Sequence, residues 1–473
     1  MSKVFWGRSH ELMFLDKKHE SNKNTLGVIY GRRRVGKSHL IKKFKSNKKN
    51  VVVIEALELA SLQEQINHFI SELSKTSRDI NIKKIEFKTW KDVFSYLTSS
   101  YFNKDKKIIL IIDEFQWLAS KKSSVVSLLK YFWDNEWADF KVDIILCGSI
   151  AQFMVNSVIK SKALYGRIDY ELKVHPMHPA EISLFLKNKK SIPELLQYQL
   201  ILGQIPKYYT YIDISQSLEK NINQLCFQNG GALVTEYEKI FYAQFKEAKT
   251  YQKIAELLSV RPRSLNDISK SLKMASGGGL ASYLVNLELA DFIKSEVSFF
   301  SKQNSKTKKY RLSDPFLIFY FKYMHKNIQQ IKKNSDKNLF ALYAKSEWNS
   351  WLGIAFENFC KNNSVLISEK LKFSDQVLKS GSYFEKNDNL KQGLQIDLVY
   401  ERADKTYVLT EVKNYSKKIG TEIIKEMNVK IERFPGDKRK SIEKLLIAAN
   451  GVEKSLIDTE YFDHILTAKD LVK

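Results

Sequence analysis

Cysteine is scarce in this chain: Cys147, Cys226 and Cys360 are all there is in 473 residues. They are odd in number and far apart, so they form neither a disulfide framework nor a zinc-ligand set. Long apolar runs are missing too. No stretch approaches the length that crosses a bilayer, and the first residues hold no apolar signal-peptide core. These absences lead to the expectation of a cytoplasmic protein with no membrane partner. Acidic residues are the third shortage, with 53 Asp and Glu against 77 Lys and Arg, a formal net charge of +24. Such a surplus favours a polyanionic partner, nucleic acid first. An AT-rich genome would also enrich lysine and asparagine, and lysines such as Lys42 and Lys43 fall on an expected solvated helix face. Apolar residues still make up 44% of the chain, enough for sizeable cores, and the length predicts about three or four domains.

Against those shortages, one loop stands out. Gly31-Arg32-Arg33-Arg34-Val35-Gly36-Lys37-Ser38 fits G-x-x-x-x-G-K-[ST]; it follows the apolar run 26–30 and precedes Leu40, Ile41 and Phe44 at helical spacing. Strand, glycine-rich turn and helix together make a phosphate cradle. Gly31 and Gly36 let the backbone curl so that its N–H groups face phosphate oxygens, and the helix N-terminus adds partial positive charge. Lys37 is expected at the β- and γ-phosphates and Ser38 at Mg²⁺.

Residues 108–112, Ile-Ile-Leu-Ile-Ile, read as a central parallel strand buried on both faces. The strand ends at Asp113-Glu114, where ligands gather in open α/β sheets. Asp113 is expected to hold Mg²⁺, directly or through water, and Glu114 to polarise the water that attacks the γ-phosphate. Strands at 27–30, 51–55, 108–112, 142–147 and 170–174 alternate with amphipathic helices such as 61–73 and 125–133. The alternation predicts a parallel sheet with right-handed crossovers. Ser149, just past the strand 142–147, either contacts the attacking water or γ-phosphate, or caps the next helix.

Four segments resemble the AAA+/STAND-type ATPases often called the archaeal ATPase family. Phe5-Trp6-Gly7-Arg8-Ser9-His10-Glu11-Leu12 resembles its F-x-G-R-x-x-E-L box, and residues 30–38 resemble its Y-G-R-R-R-V-G-K-[TS] loop. Leu164-Tyr165-Gly166-Arg167 resembles its L-Y-G-R element. Gly203-Gln204-Ile205-Pro206-Lys207-Tyr208 resembles its G-G-I-P-x-Y turn, with Gln204 in place of the second glycine. The resemblance implies ATP as the bound nucleotide, a helical lid, and Pro206 in a turn near that nucleotide. It makes Arg167 a candidate γ-phosphate sensor or arginine finger, on its own subunit or a neighbour, unless it is a surface or salt-bridged arginine.

Pro176-Met177-His178-Pro179 marks a boundary, giving a P-loop ATPase domain at 1–178 and a helical lid at 179–245. Residues 246–322 follow a winged-helix plan. Helices are expected at 251–258, from Ser264 as N-cap, and at 277–289, followed by a hairpin of 292–300 with 309–312. The third helix has no Lys or Arg, so it is not expected to read bases. Lys302, Lys306, Lys308 and Lys309 at the hairpin tip could grip phosphates without reading sequence; equally, the module could serve packing and relay. The aromatic run 314–321 resembles the family's D-P-F-L element and is expected to be core.

Residues 345–473 carry a second constellation. The segments 395–400 and 407–413 read as strands across a charged turn at 402–405. Glu411 and Lys413 lie two apart and face one side of a strand, and Asp397 could meet them across the hairpin. Two carboxylates can bind Mg²⁺, which activates water for attack on phosphorus, and a lysine can stabilise the developing charge. Glu357, on a helix at 351–360, could add a third carboxylate. The pattern resembles the restriction-endonuclease-like PD-(D/E)xK fold, although Gln395-Ile396 stands where the motif's proline precedes the aspartate.

The expectation is therefore an α/β protein: a P-loop parallel sheet, a helical lid, a winged-helix module and a C-terminal restriction-endonuclease-like domain. Its candidate catalytic residues are Glu114, Arg167, Ser149, Asp397, Glu411, Lys413 and Glu357, and its candidate metal ligands Ser38, Asp113, Asp397 and Glu411. ATP, Mg²⁺ and a nucleic acid held through its phosphates are the expected ligands, with a homo-oligomer or protein partner left open. The alternative is a nucleotide-switched interaction protein whose nuclease-like domain binds DNA or a partner without cutting.

Overall fold

The computed structural model describes residues 7–20, 23–77, 79–119, 124–186, 189–275, 277–302, 308–385 and 393–473. Phe5, Trp6 and Lys306, named above, lie outside the described residues. The chain forms two compact units, residues 1–177 and 178–473.

In the first unit five parallel strands lie in the order β2-β3-β4-β1-β5. They are β1 (Thr25–Tyr30), β2 (Val51–Glu55), β3 (Ile108–Asp113), β4 (Val142–Gly148) and β5 (Tyr170–Lys173). Every residue of β3 and β4 is buried, as an uninterrupted apolar run demands when helices cover both faces of a sheet. The helices Leu62–Ser77 and Val125–Asn135 seal one face, with Ile66, Phe69 and Leu73 from the first and Leu129 and Phe132 from the second meeting Ile54, Leu110 and Ile144. One polar residue breaks the run in β4. Asp143 is buried there, held by Lys107 (3.0 Å), His19 (2.8 Å) and the Thr25 hydroxyl (2.8 Å).

The second unit contains two sheets. The smaller has the order β6-β8-β7, formed by β6 (Arg263–Ser264), β7 (Ile293–Glu296) and β8 (Lys309–Leu312) beside the helices Ala248–Val260, Leu265–Leu272 and Gly278–Leu289. Ser264 caps the second helix, its hydroxyl accepting from the Asp267 N–H at 3.2 Å. The hairpin is shorter than its apolar sequence predicts, because β7 stops at Glu296 instead of continuing to 300. Phe299 and Phe300 leave it for the larger sheet: Phe299 is buried with its ring against Tyr407, and Phe300, still exposed on one side, lays its ring against Tyr383, Tyr407 and Phe434. The Phe299 N–H donates to Ser382 O (3.0 Å), and the Lys379 ammonium lies 4.8 Å above the Phe299 ring. Aromatic burial therefore outcompetes ladder extension here.

The larger sheet has the order β13-β12-β11-β10-β9. Its strands are β9 (Val377–Phe384), β10 (Gln395–Arg402), β11 (Thr406–Lys413), β12 (Ser441–Ala448) and β13 (His464–Thr467). β9, β10 and β11 are antiparallel neighbours, whereas β12 joins β11 in parallel after the crossover helix Ile423–Arg433. The helix Trp348–Asn362 packs on β10 and β11.

The segment expected as a lid belongs to the core of this second unit. Tyr208 packs on Phe316 (5.5 Å) and Tyr237 stacks on Tyr320 (4.5 Å), so the aromatic run after Asp314 is interior. The last helix, Ala468–Val472, packs against Ile192–Leu202 and so ties the large sheet to the lid segment. Among the described residues no helix is long and apolar enough to cross a membrane.

Candidate functional site

β1 delivers the chain to the C-terminal edge of its sheet, where the glycine-rich loop begins. A Cβ on Gly31 would sit 2.4 Å from Val174 O, so glycine alone allows this approach. Arg34 (φ +73°) and Gly36 (φ +98°) turn the backbone through the left-handed region, and Gly36 N-caps the helix Lys37–Ser46. The fully buried Val35 side chain pins the loop from below. Arg32 is buried, and Arg33 reaches Glu58 at 3.8 Å.

Lys37 is only 5% exposed, and its Nζ donates to the carbonyls of Gly31 (2.9 Å) and Arg32 (3.0 Å). Burial holds its pKa below the ordinary lysine value. An ammonium carries three donors, so one proton beyond those two bonds can meet a phosphate oxygen. The Ser38 hydroxyl donates to Asp113 Oδ2 at 3.0 Å, and Asp113 Oδ1 accepts from the Glu114 N–H at 3.0 Å. Hydroxyl and carboxylate thus meet beside the loop, a hard-oxygen donor pair that fits Mg²⁺. Glu55, paired with Asp113 in the β2–β3 register, adds negative charge at the same sheet edge. Burial, then the carboxylates of Asp113 and Glu114, raise its pKa.

Glu114 sits at a tight left-handed position, φ +54°, directly after β3. Its Oε2 accepts from the Ser149 hydroxyl at 2.6 Å and from the Gln116 amide. Ile150 and not Ser149 is the N-cap of the helix that follows, and the Ser149 hydroxyl is turned to Glu114. Gln116 was not legible as a site residue; it is buried, and its Oε1 has no hydrogen-bond partner among the described residues. Its position two residues after the Asp-Glu pair is the one signal that could have drawn attention to it.

Arg8 is the other residue whose part emerges only in three dimensions. It is buried, with its guanidinium donating to Val35 O (2.7 Å), His175 O (2.7 Å) and Glu11 (2.5 Å). One side chain thereby ties the phosphate loop to the chain leaving β5. Replacing Arg8 by Ala should cost about 3 kcal/mol in urea denaturation, because two buried carbonyls and a carboxylate lose a charged partner. Nucleotide affinity should fall with it, and an unchanged denaturation midpoint would refute the clamp.

Arg167 does not join this group. β5 runs parallel to β1 with Tyr170 beside Gly27, so Arg167, three residues before Tyr170, lies at the start of these strands. Gly31 lies four residues past Gly27, on the order of 13 Å beyond the level of Tyr170 and further still from Arg167. Arg167 pairs bidentately with Asp134 (2.6 and 2.7 Å) and donates to Tyr165 O (3.0 Å). The expectation of a γ-phosphate sensor for its own subunit's nucleotide is corrected by strand direction. Pro206, in the second unit, opens the short helix Pro206–Tyr209 and is buried.

The C-terminal residues converge at the hairpin of β10 and β11. Asp397, 4% exposed, accepts from the Val412 N–H at 3.1 Å and from Gln395 at 3.1 Å, so its carboxylate sits against the backbone between Glu411 and Lys413. Glu411 is 2% exposed; its Oε1 pairs with Lys413 at 2.9 Å and its Oε2 with Lys430. Lys413 also pairs with Glu426 at 2.9 Å. Burial alone would lower the Lys413 pKa, but Glu411 and Glu426 outweigh it and hold the ammonium above its ordinary range. Glu357, on the helix Trp348–Asn362, feels the charge of Asp397 and Glu411, although among the described residues no three carboxylate, histidine or cysteine side chains gather closely enough to hold a metal together. Burial first and Asp397 second push its carboxyl up to about 7. Asp397 and Glu411 are hard oxygen donors on neighbouring strands and fit a divalent cation in type. Lys430 and Glu426, both from the crossover helix, were absent from the sequence-derived set.

Comparison with known proteins agrees with this geometry. Residues 5–201 match the family described as an ATPase domain predominantly from Archaea. The chain carries an archaeal-type P-loop ATPase domain. Residues 320–425 of this ATPase match a second family, described as Archaea bacterial proteins of unknown function. An uncharacterized protein of Methanocaldococcus jannaschii is 29% identical over 415 residues, 87% of each chain. A second protein of that organism, described as an uncharacterized ATP-binding protein, is 56% identical over 46 residues, 10% of this chain and 78% of its own. Among solved structures, a Walker-type ATPase of Pyrococcus abyssi shares the fold with a TM-score of 0.50 at 19% identity, covering 68% of this chain and 97% of that one.

Proposed function

We propose that this P-loop ATPase uses ATP binding and hydrolysis to control a metal-dependent, nuclease-like site in its second unit. The ATPase half rests on the family match and on the contact of Ser38 with Asp113. In this reading Lys37 holds the β- and γ-phosphates while the loop amides of residues 31–36 cradle them. Ser38 and Asp113 hold Mg²⁺, which supplies charge neutralisation on the phosphates. Glu114 accepts a proton from the attacking water, and Ser149 and Gln116 keep its carboxylate aimed. Arg167 serves a nucleotide on a neighbouring subunit or remains paired with Asp134.

One observation supports the nuclease-like half: on neighbouring strands the Asp397 carboxylate lies against the Val412 N–H, between Glu411 and Lys413, and Glu411 pairs with Lys413. A divalent cation held by Asp397 and Glu411 would supply an activated water for attack on a phosphodiester. Lys413 then stabilises the negative charge that develops, and Glu357 steadies Asp397. The net charge of +24 supports a nucleic-acid substrate gripped through phosphates. Residues 246–322 are read as a winged helix acting in relay. Lys308 lies over Tyr310 (5.3 Å) and Lys309 over Phe384 (5.0 Å), which favours packing over a free phosphate grip. The finer division is 1–178 for the ATPase, 179–245 for the lid, 246–322 for the winged helix and 345–473 for the nuclease-like domain.

The test is incubation of supercoiled plasmid and linear duplex DNA with the full chain, Mg²⁺ or Mn²⁺, and ATP. Metal-dependent cleavage abolished by chelator supports the reading. DNA bound but never cut, with ATP turning over slowly, supports the nucleotide-switched interaction protein instead. A specific observation gives that second reading weight, since both oxygens of Glu411 are paired with lysines.

A further inference from the structure

We propose that Lys430 is an internal cation that occupies Glu411 and must be displaced before a divalent metal can bind there. The inference rests on the metal-dependent reading of this site. A carboxylate as buried as Glu411 persists as a charge only when paired. Lys413 pairs with one oxygen and Lys430 with the other, so each oxygen that a metal would share already carries an ammonium.

The two lysines differ in what else holds them. Lys413 is shared with Glu426 at 2.9 Å and lies on β11 itself, where it follows Glu411 by two residues. Lys430 reaches in from the crossover helix Ile423–Arg433. Glu426 and Lys430 are spaced i, i+4, which puts both on the helix face toward β11. Ile423 and Met427, fully buried on that helix, fix its backbone independently of the lysine. A flexible four-carbon stem can swing an ammonium aside without moving the helix. Lys430 is therefore the partner that can leave.

While Lys430 sits on Glu411, metal affinity is reduced by the fraction of time that the carboxylate is free. Removing the lysine should recover that factor, about tenfold when the pair is formed nine-tenths of the time. The lysine also keeps the metal-free site from holding an uncompensated buried charge, so it positions Glu411 and takes no part in bond breaking.

The experiment is calorimetric titration of Mn²⁺ into the full chain without nucleotide. The variants are Lys430→Gln, Lys430→Arg, Glu411→Gln and Lys361→Gln, each checked by far-UV circular dichroism for retained fold. Binding lost in Glu411→Gln identifies the signal of this site. Lys430→Gln should then bind Mn²⁺ about tenfold more tightly than the unaltered chain, while Lys430→Arg stays near it. Lys361→Gln removes a charge beside Glu357 without touching Glu411, and should change affinity far less. Equal affinity in Lys430→Gln and the unaltered chain, or an equal gain in Lys361→Gln, overturns the lock. Absence of Mn²⁺ binding at Glu411 in both the unaltered chain and Lys430→Gln overturns the metal-site reading along with it.

Discussion

Glu114→Gln should leave ATP bound but slow its hydrolysis by about a thousandfold, within the range that general-base groups contribute. The substitution preserves shape and leaves an oxygen to accept from the Ser149 hydroxyl (2.6 Å in the native site), so the local geometry survives. What disappears is the capacity to take a proton from the attacking water. Ser149→Ala and Gln116→Ala should each give a smaller loss, because they free the carboxylate to wander without removing it. Single-turnover hydrolysis with labelled ATP, beside equilibrium binding of a fluorescent analogue, separates the two effects. Full-rate hydrolysis by Glu114→Gln would assign the base elsewhere, with Glu55 on the adjacent strand the next residue to test.

Glu411→Gln combined with Lys413→Ala should eliminate DNA cleavage, a drop of at least about a thousandfold, while ATP hydrolysis stays within about twofold. The pair removes a candidate metal ligand and the cation that would stabilise the developing charge. Removing both charges together leaves neither Glu411 nor Lys413 stranded, and the partners that remain, Lys430 and Glu426, lie on one helix at i, i+4 and can pair with each other. Gel-resolved plasmid nicking measures the first effect and phosphate release the second. Cleavage that persists in the double variant would mean that the nicking belongs to a contaminant or to another site.

How much of this was legible in the sequence depends on how local each feature is. The phosphate loop, β3 and Asp113 follow from short patterns whose geometry is set by the backbone around them, and Ser264 as a cap is equally local. The position of Arg167 is not local. Its motif places it before a strand, but whether that strand's start or end meets the P-loop follows only from the parallel pairing of β5 with β1. The run 292–300 reads as one strand because it is apolar, yet Phe299 and Phe300 are apolar for the sake of a different sheet. Arg8 stands in the F-x-G-R-x-x-E-L box, but its partners at Val35 and His175 are backbone carbonyls, groups that every residue type offers, so the box does not say what the arginine holds. Lys430 meets Glu411 only because a crossover helix returns over β11, and its i, i+4 relation to Glu426 marks a helix face without saying what that face covers.

Within the second unit, residues 192–202, the small sheet and the larger sheet pack together, through contacts such as Ala468–Val472 on Ile192–Leu202 and Phe299 among Tyr383 and Tyr407.

The most direct test of this account is the rate of plasmid cleavage with Mg²⁺, measured with no nucleotide, with ATP and with a non-hydrolysable ATP analogue, in the unaltered chain and in Lys37→Ala. The account predicts that the rate in the unaltered chain depends on which nucleotide is present. It also predicts that Lys37→Ala, unable to hold the phosphates, cleaves at its nucleotide-free rate in all three conditions. Cleavage that is the same in every condition for both proteins would contradict ATP control, and no cleavage in any of them would contradict the nuclease itself.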